Sequence, residues 1–260
     1  MSVSLHPRQL TRMLGILVVA LTTAHLLGQT SRWVFGHDSV FGLVPLFDLN
    51  AETNVPTFYA TLSLSLCGVL AALVARVTLR RKEPFALHWV GMSLGFFFLG
   101  LDEFASLHER LSEPVKSATG AGGVFTSAWV IPYGIGALLV GLTYLSFLRA
   151  LPKATRNGLL LGGVVFVLGA LGLEMAAGPT KAAAAGVETV GITIFTSIEE
   201  VLEMTGVLLV VRALAHHLAA ASPSGFELRL TLDESAARGE RRAGLAPWAP
   251  LMGQPPRSGT

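Results

Sequence analysis

"SIEEVLEMTG", Ser197 to Gly206, sets three carboxylates, Glu199, Glu200 and Glu203, within little more than one helical turn. "GVETVGITIFT" (Gly186–Thr196) precedes it and "VLLVVRALA" (Val207–Ala215) follows, both strongly apolar. Without its glutamates the segment would read as a membrane span. The rest of the chain supports that reading. It has 260 residues, 52% of them hydrophobic and only 14% charged, with a mean hydropathy of +0.59. Soluble domains carry about a quarter charged residues. A net charge of +2 is too small to indicate a nucleic-acid partner, and there is no Gly-rich phosphate loop, CxxC pair or basic-aromatic patch. The lone Cys67 excludes an intramolecular disulfide.

Six runs are long and apolar enough to cross a bilayer: Leu10–Gln29, Pro56–Leu79, Pro84–Leu107, Trp129–Leu151, Gly158–Gly178 and Val190–Ala215. In hydrocarbon every backbone group must be paired within its own segment, so each run is expected to be a helix. The expected fold is all-α, a polytopic bundle of about six transmembrane helices over residues 1–217. A largely disordered tail, rich in Pro, Gly, Ser and Arg, is expected over 218–260, with "FELRLTL" (Phe226–Leu232) as its one ordered-looking stretch. Basic residues fix the direction. Arg8 and Arg12, then Arg76, Arg80, Arg81 and Lys82, then Arg149, Lys153 and Arg156, and finally Arg212 fall on one side. The other side has Arg32, Arg110, Lys116 and Lys181. This alternation predicts a protein of the bacterial cytoplasmic (inner) membrane with both termini inside. A signal peptide built on "LGILVVALTTA" (Leu14–Ala24) is the alternative for the first run, and its cleavage would leave five spans. The pairs Gly91–Gly95 and Gly158–Gly162 are GxxxG spacings, which allow close helix approach.

A charge at the bilayer centre costs about 2.5–3.5 kcal/mol on insertion scales, so the acids must face inward. Glu199 and Glu203 lie on one face, with Glu200 at its edge. If Arg212 marks the inner boundary, these three lie roughly 10–16 Å below the outer surface. The third run adds Asp102, Ser106 and Glu109 on one face, with Glu103 and His108 beside it. The fifth adds Glu174, and the first a polar stripe of Thr22, His25 and Gln29. All belong to the outer half. The outer loop before the second run offers Asp48, Glu52 and Asn54 as further oxygen donors, although Asn54 or Thr53 also suits a helix N-cap. His88 and Trp89 read as interface anchors, and His216 and His217 as a cytoplasmic flank.

Crowded carboxylates in a medium of low dielectric need protons or cations. Arg32, Arg110 and Lys181 are placed at or beyond the outer boundary, which leaves a divalent ion as the expected counter-charge. The expected ligands are His25, Asp102, His108, Glu109, Glu174, Glu199 and Glu203, with Asp48, Glu52 and Asn54 as loop donors and Glu200 and Glu103 as catalytic base. The donor set admits Zn, Fe, Mn, Mg or Ca. A di-iron carboxylate bundle would need Glu-x-x-His pairs, which are absent. The expected function is a divalent-metal-dependent membrane hydrolase or oxidoreductase, acting on a lipid or lipophilic substrate amid membrane lipids. The alternative is a cation- or proton-conducting transporter or channel using the same acids. Oligomeric state is not legible.

Three strings, "FDLNAETNVPTFYATLSL" (Phe47–Leu64), "FLGLDEFASLHERL" (Phe98–Leu111) and "SIEEVLEMTG", resemble a family of bacterial multipass membrane proteins without an assigned activity, through the patterns FDxxxExNxPT, LDExxxxHE and EExxE. The resemblance implies a shared helical membrane fold and no particular reaction. The acidic loop is faintly similar to the calcium-binding segment of alkaline ceramidases, but this chain lacks their intramembrane HxxxH pair, and that assignment is not adopted.

Overall fold

A computed structural model describes residues 6–221. The expected tail from 222 onward, including "FELRLTL", lies outside the described residues. Among the described residues there is no strand. Helix α1 spans Pro7–Phe35, opens on a proline and closes at Gly36 in the left-handed region (φ 69°). A short turn, α2 (Leu43–Leu46), leads to α3 (Val55–Arg80), which starts at Asn54 as N-cap with Pro56 in its first turn. Helix α4 covers Ala86–Ala105. Ser106 adopts a left-handed conformation (φ 48°), and α5 (Leu107–Thr119) departs at 81° to α4. Helix α6 covers Val130–Ala150. Then α7 (Lys153–Val167), a π-helical segment (Leu168–Leu173) and α8 (Glu174–Ala184) form one run, followed by α9 (Val190–Ala221).

Among the described residues four helices are long and apolar enough to cross a membrane: Pro7–Phe35, Val55–Arg80, Val130–Ala150 and Lys153–Ala184. The bent α4–α5 pair would be a fifth. Six were expected. The two remaining runs are the one broken at Ser106 and α9, which carries Glu199, Glu200, Glu203 and Arg212.

Helix α9 is central, packing against α1, α3, α7, the π segment and α8, while α3 and α4 form a close antiparallel pair. Cys67, Phe147, Val211 and Leu214 are the largest fully buried apolar side chains of the main core. Helices α7 and α9 touch backbone to backbone. A Cβ on Gly206 would lie 2.6 Å from the Phe166 nitrogen and 2.8 Å from the Gly162 carbonyl oxygen, and one on Gly158 would lie 2.8 Å from the Ala213 Cβ. Thus Gly158 and Gly162 do pack a helix pair, whereas Gly95 faces open space. Trp89 is no interface anchor: it is buried, stacked on His217, whose Nδ1 lies 3.0 Å from the Thr155 hydroxyl.

Candidate metal centre

The break at Ser106 builds the first half of the site. A left-handed serine is disfavoured by sterics, and it turns the chain so that residues 107 onward fold back on the end of α4. His108 thereby returns to Asp102: its backbone N–H donates to Oδ1 (2.9 Å), and its Nδ1 lies 3.1 Å from Oδ2. The shared helix face expected for Asp102, Ser106 and Glu109 does not exist, because the helix stops between them. Tyr133 of α6 donates its hydroxyl to Asp102 Oδ1 at 2.7 Å, and Trp129 packs edge-on against the His108 ring. With Nδ1 facing a carboxylate, Nε2 is the imidazole nitrogen left for a ligand. A carboxylate behind the imidazole is the usual arrangement around metal-binding histidines, fixing ring orientation and raising basicity.

The loop before α3 supplies the second half. Glu52, His108 and Glu109 each present one ligand atom, and the three atoms lie within 4.8 Å of one another. Ligands sharing one ion at about 2.1–2.4 Å are at most about 4–5 Å apart, so side-chain rotation closes this set. No other three His, Cys, Asp or Glu side chains come together so closely among the described residues. Glu52 and Glu109 are exposed and His108 half-buried; partial desolvation, and then the charge of Glu109, push the Glu52 carboxyl above its ordinary range. Burial alone would pull the His108 imidazole down. The hydrogen bond and charge of Asp102, with Glu109 and Glu103, outweigh that and raise it. Two like charges gathered around an imidazole suit a bound cation. Behind them, Glu103 lies within Coulombic range of Glu52, His108 and Glu109, and Glu200 within that of Glu103, Glu52 and Glu109.

The other expected ligands are placed elsewhere. His25 is buried, with its Nε2 2.8 Å from the Ser197 hydroxyl and its Nδ1 accepting the Leu49 N–H at 3.0 Å, so both ring nitrogens are engaged. Asp48 is the hub of that outer network. Gln29 Nε2 donates to Oδ1 (2.9 Å), as does the Asn50 N–H (3.1 Å), while Arg32 reaches Oδ2 (3.5 Å) and His25 Nδ1 stands 3.4 Å from Oδ1. Burial alone would raise the Asp48 carboxyl, but its neighbours, the Asn50 N–H and the Arg32 guanidinium among them, hold it below the usual range. Asn54 caps α3, accepting the Thr57 N–H at 3.1 Å, and donates to the Asp48 carbonyl at 2.6 Å.

Glu174, buried at the start of α8, pairs with Lys181 seven residues on. The expectation that no basic side chain reaches the acids is therefore overturned twice, by Lys181 at Glu174 and by Arg32 at Asp48 and Glu188 (3.0 Å). Long cationic chains placed at helix ends reach several ångströms along the bundle. Glu199 is buried with one carboxyl oxygen unpartnered and has Glu174 and Lys181 as its charged neighbours. Gly169 in the π segment backs onto α9 here: a Cβ would lie 2.9 Å from the Glu199 carbonyl oxygen and 3.0 Å from the Glu203 side chain. Glu203 has Glu200 as its first charged neighbour.

Sequence reasoning missed Tyr133, Trp129, Ser197, Arg32 and Lys181 as partners. Only Lys181 carried a local signal, since residues seven apart share a helix face. No curated protein and no solved structure shows a significant match to this chain. A family model described as a domain of unknown function (DUF8692) matches residues 13–218, from within α1 nearly to the end of α9. That span takes in the loop, the helix break and the glutamates of α9, and the chain belongs to this family of unknown function.

Proposed function

We propose that this chain is a polytopic enzyme of the bacterial cytoplasmic membrane, with six spans and both termini inside. In this reading it holds one divalent ion at Glu52, His108 and Glu109 and acts on a lipid or another lipophilic molecule. The observation that carries the reading is the Asp102–His108 pair, 3.1 Å apart, with one carboxylate oxygen each of Glu52 and Glu109 within 4.8 Å of a ring nitrogen of His108. Three protein ligands leave coordination positions for water and substrate, the pattern of catalytic rather than structural sites. An ion held by Glu52, His108 and Glu109 would supply Lewis acidity toward a bound water or a substrate carbonyl or phosphoryl oxygen. Glu103 and Glu200, which feel the charges of Glu52 and Glu109, are the candidate bases to take the proton. Asp102 is an orienting group in this arrangement rather than a ligand.

Incubating the ion-loaded, purified protein with a total lipid extract, followed by lipid mass spectrometry, tests this. A lipid species should change with the native protein and persist unchanged with Glu200→Gln or added chelator. No difference among the three would reject the enzyme reading. One observation favours the second reading, conduction of protons or cations: the acids continue from Glu103 through Glu200 and Glu203 to Glu199, Glu174 and Lys181. Flux across liposomes that is abolished by Glu203→Gln and indifferent to chelator would establish it instead.

A further inference from the structure

The loop between α1 and α3 brings only Glu52 to the metal centre, yet most of its hydrogen bonds are made a few residues earlier. Asp48 receives Gln29 and Arg32 from one face of α1, and His25 on the same face accepts the Leu49 N–H next to it. Arg32 continues to Glu188, just before α9, and Asn50 reaches the same carboxylate at 3.5 Å. On the far side of Glu52, Asn54 ties the Asp48 carbonyl to the first turn of α3. Glu52 is thus the outward-facing member of a short turn pinned at both ends. Thr53, next to it, has a positive φ of 61°. A β-branched residue holds that conformation only where its surroundings impose it.

We propose that Asp48 is the positioning residue of the metal centre: held by α1, it fixes the turn that presents Glu52 to His108 and Glu109, and so sets ion affinity without touching the ion. The inference rests on the metal reading above and adds a control point to it. The same salt bridges tie the loop to both α1 and the start of α9, so a shift between these helices would be felt at Glu52. An exposed glutamate on a free loop would lose side-chain and backbone freedom on binding, and pinning the turn removes part of that cost in advance.

Titration of the full-length, metal-stripped protein with Mn2+, followed by electron paramagnetic resonance, tests it, with Zn2+ as competitor. The native chain should bind one ion. Asp48→Asn and Arg32→Gln should still bind one ion per folded chain but with affinity lower by about 10–100-fold, the usual effect of changing an outer-shell partner. A purely structural role for Asp48 would instead reduce the number of binding-competent molecules at unchanged affinity. Native affinity in both variants would overturn the inference while leaving the metal site intact, whereas no Mn2+ or Zn2+ binding by the native chain would remove the metal reading itself. Arg32→Gln is the milder change and serves if Asp48→Asn does not fold.

Discussion

The two halves of α9 behave as different materials. From Met204 onward its buried residues are Met204, Gly206, Val207, Val210, Val211, Ala213, Leu214, Ala215 and Leu218. Before Met204 they are Thr193, Thr196 and Glu199. The second half is pressed against α7 so closely that glycines meet backbone to backbone. The first half lies against a π-helical turn, α8 and the pinned loop, and carries Glu199, Glu200 and Glu203 in its last five residues. Close packing between small residues is what holds helices together in lipid, where burial from water supplies no drive. Polar groups at the same depth cost free energy and are kept for a use. One half of this helix therefore anchors the bundle while the other shapes a site.

The largest expected effect breaks the packed half. Gly206→Val puts side-chain atoms onto the Phe166 nitrogen and the Gly162 carbonyl, both backbone and unable to yield. Overpacking of this kind costs about 1–3 kcal/mol, at times more, and here it separates two helices. Thermal unfolding in detergent, followed by size-exclusion profile, should show a sharply lowered midpoint. A matching substitution at Gly95, which faces open space, should leave it nearly unchanged.

A smaller effect separates the halves by pH. The Asp48 carboxyl is held below its ordinary 3.8 in the folded chain. The stabilisation it gives is complete above that value and is lost as pH falls through the lower folded value. Hydrogen exchange at acid pH should therefore release the loop from residue 36 to 54 first, with the amides of α7 and the second half of α9 still protected. Simultaneous release of both regions would contradict the comparison.

The same division explains what could be read from the sequence. Apolar runs with polar groups at one level implied helices and an inward-facing site because lipid leaves no other arrangement. The packed half was half-visible, through Gly158 and Gly162, but their partners Ala213 and Gly206 are distant in sequence. At the site, residue types were legible and their grouping was not. Helical periodicity was extended through Ser106, where the chain turns by 81°, and nothing in "LDEFASLHE" signals a left-handed serine. Asn54 reads as a helix cap in the sequence and is one, whereas Glu52 two residues earlier carries no local sign that it neighbours His108. Arg32 and Lys181 were assigned by the position of their Cα atoms, while their charges sit a side chain's length away.

The central claim, a divalent ion at Glu52, His108 and Glu109, is met most directly by elemental analysis of protein purified without chelator. The native chain should carry about one divalent ion, and Glu52→Gln and His108→Ala should each lose it, with at least the 10–100-fold loss of affinity that an outer-shell change brings. Glu174→Gln, a change at the Lys181 pair, should retain the ion. A native chain free of metal, or one whose metal is lost with Glu174→Gln and kept with His108→Ala, would contradict the assignment.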